Sequence, residues 1–355
     1  MTEKMKMPLV GALAAIISVT LVYWGNPANM GFCIACFLRD IAGALGLHSA
    51  APVRYVRPEV IGVVFGALIA SVLTKEFAPK GGSAPATRFV LGVCIMIGAL
   101  IFLGCPLRVA LRLAGGDLNA VAGLFGFTAG IFLGVFFLKQ GFSLKRTYDV
   151  SNTDGLVLPF VSLLLLAALL FAPALLIFSE QGPGAAHAPM LMALAAGLIM
   201  GVVGYISKLC LVAGIRDPFL FKDFSMFGAL VTLVIVGAAA NIILGNFNLG
   251  FENQPVAHTD SLWNFLGLTL VGFGSVLLGG CPFKQLVLAG SGNSDSTITI
   301  LGMIVGAAIV HNFGLASSAA GVTENGRVGF ALAAVIMLCI AVYNTYFGKK
   351  TAGGT

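Results

Sequence analysis

The sequence predicts an all-α integral membrane protein: about ten transmembrane helices in two inverted five-helix repeats, with four short re-entrant helices meeting near the midplane. Three observations predict it. Composition comes first: 58% of the 355 residues are hydrophobic and only 10% charged, where a soluble chain carries about 25% charged residues. The second is a series of apolar runs of spanning length, and the third is a pair of motifs repeated at one spacing. A net charge of +6 sits in short loops between apolar runs, where membrane topology accounts for most of it and no nucleic acid is implied.

A span needs about 20 mostly apolar residues. Such runs fall at 8–25, 59–77, 88–104, 119–139, 156–179, 188–207, 226–245, 262–280, 297–316 and 327–347, with no room for a soluble domain. The first run lacks a small-residue cleavage site and reads as an uncleaved span. Four further stretches, 30–47, 105–116, 208–221 and 281–292, are too short to span and too apolar for a water-facing loop. Lys and Arg in the loops set the orientation. With the N-terminus inside, Lys4, Lys6, Lys75, Lys80, Arg88, Lys139, Lys145, Arg146, Lys222, Lys349 and Lys350 are cytoplasmic, against Arg54, Arg57 and Arg327 outside. Both termini are then cytoplasmic, and the expected location is the inner membrane of a prokaryote.

Cys33-x5-Arg39-Asp40 returns 177 residues later as Cys210-x5-Arg216-Asp217, and Cys105-Pro106-x-Arg108 returns after 176 as Cys281-Pro282-x-Lys284. Five spans per unit is an odd number, so residues 1–179 and 180–355 should form two oppositely oriented repeats of one integrated membrane domain. Binding is expected near the midplane, where such repeats meet.

Non-spanning backbone at membrane depth persists only where protein buries it or where it lines an aqueous cavity. Pro is favoured at the first helical position. Gly104-Cys105-Pro106 and Gly280-Cys281-Pro282 therefore read as starts of half-helices, whose free N–H groups form an anion site. Arg108, Arg112 and Lys284 add positive charge, with Arg39 and Arg216 beside the acidic Asp40 and Asp217. A base at membrane depth usually marks a pathway. Arg39 and Arg216 equally suit clamps on backbone carbonyls, and a buried Cys is often a small hydrophobe. That plain reading is taken for Cys94 and Cys339, which have no repeat partner.

Cys33 and Cys36 have the C-x-x-C spacing of a redox dithiol or half a metal site, but no second pair completes a four-cysteine zinc site. The second copy has Ala213 where Cys36 would stand. Asn26-Pro27-Ala28 reads as a turn. His311 and Asn312 are candidates for an accessory role, a satisfied core histidine being the alternative. "AGGDLN" (114–119) and "AGSGNSD" (289–295) read as exits from the half-helices into the next spans.

Together "GFCIACFLRD", "LGCPLR", "GYISKLCLVAGIRD" and "GGCPFK" resemble the YeeE/YedE family, whose studied members take up thiosulfate. The resemblance covers nearly the whole chain and implies an hourglass with cysteines lining a central path. "NPANMGFCIACFLRDIAGALGLH" and "RLAGGDLNAVAGL" are nearer to a subgroup linked with selenium metabolism. The expectation is a non-enzymatic permease for a small sulfur- or selenium-containing anion. Its substrate path runs through Cys33, Cys105, Cys210 and Cys281, with neither cofactor nor metal. Partners expected are the anion, the lipid bilayer and a cytosolic sulfur or selenium carrier protein. The rival reading is a membrane thiol-disulfide oxidoreductase using Cys33 and Cys36.

Overall fold

The computed structural model describes residues 3–347. Lys349 and Lys350 lie outside the described residues, as does the side chain of Lys4. The fold is helical, and the only named strands among the described residues are β1 (Lys80–Gly81) and β2 (Tyr148–Asp149), paired antiparallel. In chain order the helices are α1 (Glu3–Tyr23), α2 (Ile34–Ala44), α3 (Pro58–Leu73), α4 (Pro85–Phe102), α5 (Pro106–Ala114), α6 (Asn119–Lys139), α7 (Asn152–Gly155) and α8 (Val157–Phe171). They continue with α9 (Met190–Ser207), α10 (Leu211–Phe221), α11 (Ser225–Ile243), α12 (Ser261–Leu278), α13 (Pro282–Gly290), α14 (Ser294–Asn312) and α15 (Glu324–Val342).

Eight helices among the described residues, α1, α4, α6, α9, α11, α12, α14 and α15, are long and apolar enough to cross a membrane. The apolar runs at 59–77 and 156–179 give shorter helices, α3 with 16 residues and α8 with 15. Local chemistry ends both. Lys75 turns left-handed at φ 59° just past α3. Pro173 disfavours helical backbone at Ala172, which leaves α8 at φ −140°.

The protein buries charged side chains within an apolar core and exposes large apolar side chains on its outside. Arg57, Arg108, Arg112, Asp40, Glu59 and Asp117 are all buried, whereas Leu9, Phe125, Phe160, Ile235 and Leu332 are exposed. This suits lipid as the surrounding solvent, where charged side chains face the interior and pair.

Seven of the long helices and the shorter α3 pack in pairs: α1 on α11, α3 on α9, α4 on α14 and α6 on α12. In lipid, helices associate through close packing, which small residues permit. Gly62 and Gly66 approach the backbone of Leu194 and Leu198, and Gly197 and Gly201 approach Glu59 and Val63. Gly126 and Gly130 do the same against Phe265 and Thr269 on α12. The short helices fit between these pairs, α2 against α14, α5 against α11, α10 against α6 and α11, and α13 against α3.

Candidate functional site

One local structure recurs at all four short helices. The residue two places before the cysteine is left-handed: Gly31 (φ 42°), Leu103 (64°), Lys208 (54°) and Gly279 (81°). A left-handed residue ends the preceding segment. The cysteine that follows is extended and stands at the N-cap of the next helix, Cys33 for α2, Cys105 for α5, Cys210 for α10 and Cys281 for α13. Each thiol is thereby held beside the free N–H groups of a helix start. Cys36 N–H donates to Cys33 Sγ at 3.5 Å. The other three thiols lie near the equivalent N–H groups, those of Arg108, Ala213 and Lys284, without closing a cap.

The glycine in Gly-Cys-Pro has a steric cause. The base four residues on folds back over it, so that a Cβ at Gly104 would lie 2.6 Å from Arg108 Cδ and one at Gly280 2.7 Å from Lys284 Cγ. The two bases differ in freedom. Arg108 is pinned: Nε donates to Asn29 O at 2.9 Å, Nη2 to Val256 O at 2.9 Å and Nη1 to Leu103 O. Lys284 has no hydrogen-bond or ion-pair partner among the described residues, so its stem can move aside. Gly104→Ala is therefore expected to lower the apparent melting midpoint in detergent, with an overpacking cost of about 1–3 kcal/mol. Gly280→Ala should shift it much less, and equal shifts would refute the pinning argument.

The sequence-singled cysteines gather in two groups. Cys33 Sγ is 2.9 Å from Cys36 Sγ and 3.8 Å from Cys105 Sγ, and Cys36 faces Leu103 O at 3.7 Å. Arg108 Nη1 stands 3.6 Å from Cys36 Sγ, which places a positive charge beside this trio. Cys210 and Cys281 interact with each other as the second group. Between the groups, Phe32 meets Phe283 edge to face with ring centroids 6.4 Å apart. Both rings are buried, and so are all five thiols. Cys94 is buried within α4 and Cys339 is exposed on α15.

The remaining bases are engaged by carboxylates. Arg39 donates to Asp40 Oδ1 at 2.7 Å, and Asp40 also receives Arg57 at 2.7 Å. Arg112 pairs with Asp117 at 2.6 Å, lies over the Phe102 ring and leaves Nη2 without a hydrogen bond. Arg216 pairs with Asp217 at 2.8 Å in a half-buried setting. The His311 ring lies tilted against that of His48 with centroids 4.6 Å apart, and Asn312 donates to Leu47 O at 2.8 Å. Both therefore meet the loop that follows α2, beyond the helix end opposite Cys33. Ala50 N–H donates to His48 Nδ1, leaving Nε2 to donate to Arg39 O at 3.0 Å. Burial lowers the His48 pKa below the ordinary imidazole value.

Sequence reasoning missed three features. Asn26, read as part of a turn, is buried and donates to Glu59 Oε1 at 2.8 Å and to Gly31 O at 3.0 Å, and it accepts from Ala188 N–H. Arg57, counted as a loop charge, is wholly buried and also donates to Pro183 O at 2.7 Å. The Phe32–Phe283 contact joins residues far apart in sequence. Only the position of Phe32 and Phe283 beside repeated cysteines could have flagged them.

The two exits behave as turns in both copies. Gly116 and Gly292 are left-handed, at φ 90° and 99°. Asp117 accepts from Asn119 N–H at 2.9 Å, and Asn293 accepts from Ser296 N–H at 2.8 Å to cap α14.

Residues 206–347 match the family model described as sulphur transport. That stretch contains Cys210, Cys281 and Lys284 and stops short of Cys33 and Cys105. No curated protein matches the chain.

Proposed function

We propose that the whole chain is a sulphur-transport permease of the YeeE/YedE type, carrying a small sulfur- or selenium-containing anion across the inner membrane through Cys33, Cys105, Cys210 and Cys281. The observation that carries this reading is the fourfold recurrence of a left-handed break followed by a cysteine N-cap. A largely buried short helix follows three of them, and a helix buried only in its first turns, α10, follows the fourth. Free helical N–H groups and the positive dipole end favour an anion. A thiol adds a weak S–H donor and a soft, polarisable contact suited to sulfur or selenium.

Two inverted repeats, 1–179 and 180–355, are supported by the packing. Exchanging α1 with α9, α3 with α11, α4 with α12 and α6 with α14 turns the α1–α11 contact into α9–α3, and α4–α14 into α12–α6. The short helices obey the same exchange, α5 on α11 becoming α13 on α3. In this architecture α2, α5, α10 and α13 are re-entrant, α3 and α8 complete ten membrane segments, and both termini face the cytoplasm. Burial of Arg57 leaves Arg54 and Arg327 as the outside bases that are not wholly buried, sharpening the charge bias.

An anion reaching the outer trio meets S–H donors and the fixed charge of Arg108. Arg39 and Arg57 share the single carboxylate of Asp40, which leaves that pair of bases one positive charge in excess, while Asp117 balances Arg112. To reach Cys281 and Cys210 the anion must pass the Phe32–Phe283 contact, so transport requires those rings to separate. Lys284 and Arg216 receive it on the cytoplasmic side, for delivery to a soluble sulfur or selenium carrier.

The test is uptake of labelled thiosulfate and selenite by cells expressing wild type, Cys105→Ala, Cys281→Ala and Cys36→Ser. Losing a hydrogen bond to a charged group is worth about 1.5–3 kcal/mol, so the two alanine variants should lose roughly tenfold or more in uptake. Cys36→Ser should retain most activity. The 2.9 Å separation of Cys33 and Cys36 favours the second reading, a membrane dithiol oxidoreductase. The reverse ranking of variants would select it, and accumulation of neither label above empty-vector cells would sink the permease.

A further inference from the structure

Apart from the thiol groups, the protein holds an open, basic basin of about 510 Å³. The loop before α4 and the first turn of α4, the basic segment after α6, α10 and the end of α12 form its walls. Four bases line it, Arg88, Lys145, Arg146 and Arg216, and among the described residues no carboxylate does. Two of the bases are already balanced: Arg88 faces Asp295 at 3.6 Å and Arg216 pairs with Asp217. Lys145 and Arg146 have no ion-pair partner among the described residues. The basin therefore carries two uncompensated positive charges.

Its wall is built and not merely a basic loop drifting past. Ser83 Oγ donates to Leu144 O at 2.7 Å and Ser83 N–H donates to Asp295 Oδ1 at 3.1 Å. Arg88 Nε donates to Ser83 O at 2.8 Å. Phe142 and Leu144 are buried just ahead of the two bases, which fixes where Lys145 and Arg146 begin. On the opposite wall lies Gly279, which is exposed and has no atom within 4 Å of where a Cβ would stand. Gly279 is two residues before Cys281 in the chain, but neither Cys281 nor Cys210 lines the basin.

We propose that this basin is a separate binding site for a divalent oxyanion of sulfate, phosphate or thiosulfate size. Lys145 and Arg146 supply the neutralising charge. Arg88 and Arg216, oriented by their carboxylates, supply further N–H donors. Arginine forks match the paired oxygens of such ions. The site needs no thiol, and it stands independently of the permease reading. The phosphate of an anionic lipid headgroup offers the same chemistry, so the two sources have to be separated.

The experiment measures binding of ³⁵S-sulfate by equilibrium dialysis, using the full-length protein in uncharged detergent and in phosphatidylcholine nanodiscs at low ionic strength. Sulfate is expected to bind saturably in both, and affinity should fall as salt rises. Lys145→Gln with Arg146→Gln should weaken it about tenfold or more, while Cys281→Ala leaves it unchanged. Size-exclusion profiles check that the double variant is folded, and single Lys145→Gln and Arg146→Gln variants should each show part of the loss. Absence of saturable sulfate binding overturns the proposal, as does a folded double variant that binds like wild type. It is also overturned if the basin takes only the headgroup in phosphatidylglycerol nanodiscs. Sulfate binding and label uptake fail separately: uptake without sulfate binding sinks the basin alone, and binding without uptake sinks the permease alone.

Discussion

Asp40→Ala is expected to leave little folded protein in the membrane, whereas the same change at the repeat position, Asp217→Ala, should be tolerated. Asp40 is fully buried and holds both Arg39 and Arg57, the latter also fully buried. Removing one partner of a buried ion pair costs about 3–5 kcal/mol, because an uncompensated charge remains inside. Here two guanidinium groups lose their carboxylate. Arg57 also bridges to Pro183 O and Ala186 O, so the damage reaches the loop before α9. Asp217 and Arg216 have side chains 20% and 28% exposed, where a pair contributes only about 0–1 kcal/mol. Heating detergent extracts and following the monodisperse peak by size exclusion would measure both. Similar midpoints for the two variants would contradict the buried-clamp account.

Gly130→Val should be the second severe lesion. A Cβ at this position would lie 2.0 Å from Thr269 O and 2.7 Å from Phe273 N, both backbone atoms of α12 that cannot swing away. The α6–α12 pair must then separate, losing contacts along its length, and separation removes the main force that holds helices together in lipid. The cost should reach or exceed the roughly 1–3 kcal/mol typical of overpacking. Gly228→Ala in α11 is the matched control. Its Cβ would meet only Pro8 Cγ at 3.7 Å, and Ala is favoured over Gly in a helix interior by about 1 kcal/mol. The control should be neutral or slightly stabilising. A Gly130→Val protein that melts with wild type would remove the close-packing argument for this pair.

Much of the candidate site is legible in the chain because its rules are local. An apolar run announces a helix, and Gly-Cys-Pro announces a break followed by a restart, since Pro fits only the first turn. The spacing of 176 and 177 residues links the copies without any coordinates. Leu103 and Lys208 were not legible as break residues. Gly31 and Gly279 occupy the same conformation where it is easy, but a leucine or lysine adopts it only when the surrounding packing imposes it.

Sequence by itself therefore determined the helical membrane class, the four short stretches between the apolar runs, and that Cys105 and Cys281 stand at helix starts. Each follows from solvation and backbone preference within a few residues. Tertiary structure alone decided which cysteines touch, that Arg108 is spent largely on carbonyls, that Arg57 joins Arg39 at one carboxylate, and that Phe32 closes against Phe283. It also decided that two copies of one motif differ, Arg39–Asp40 being buried and Arg216–Asp217 half-open. These depend on contacts between segments far apart in the chain. There burial and competing partners, and not residue type, set what a charge or a thiol is available to do.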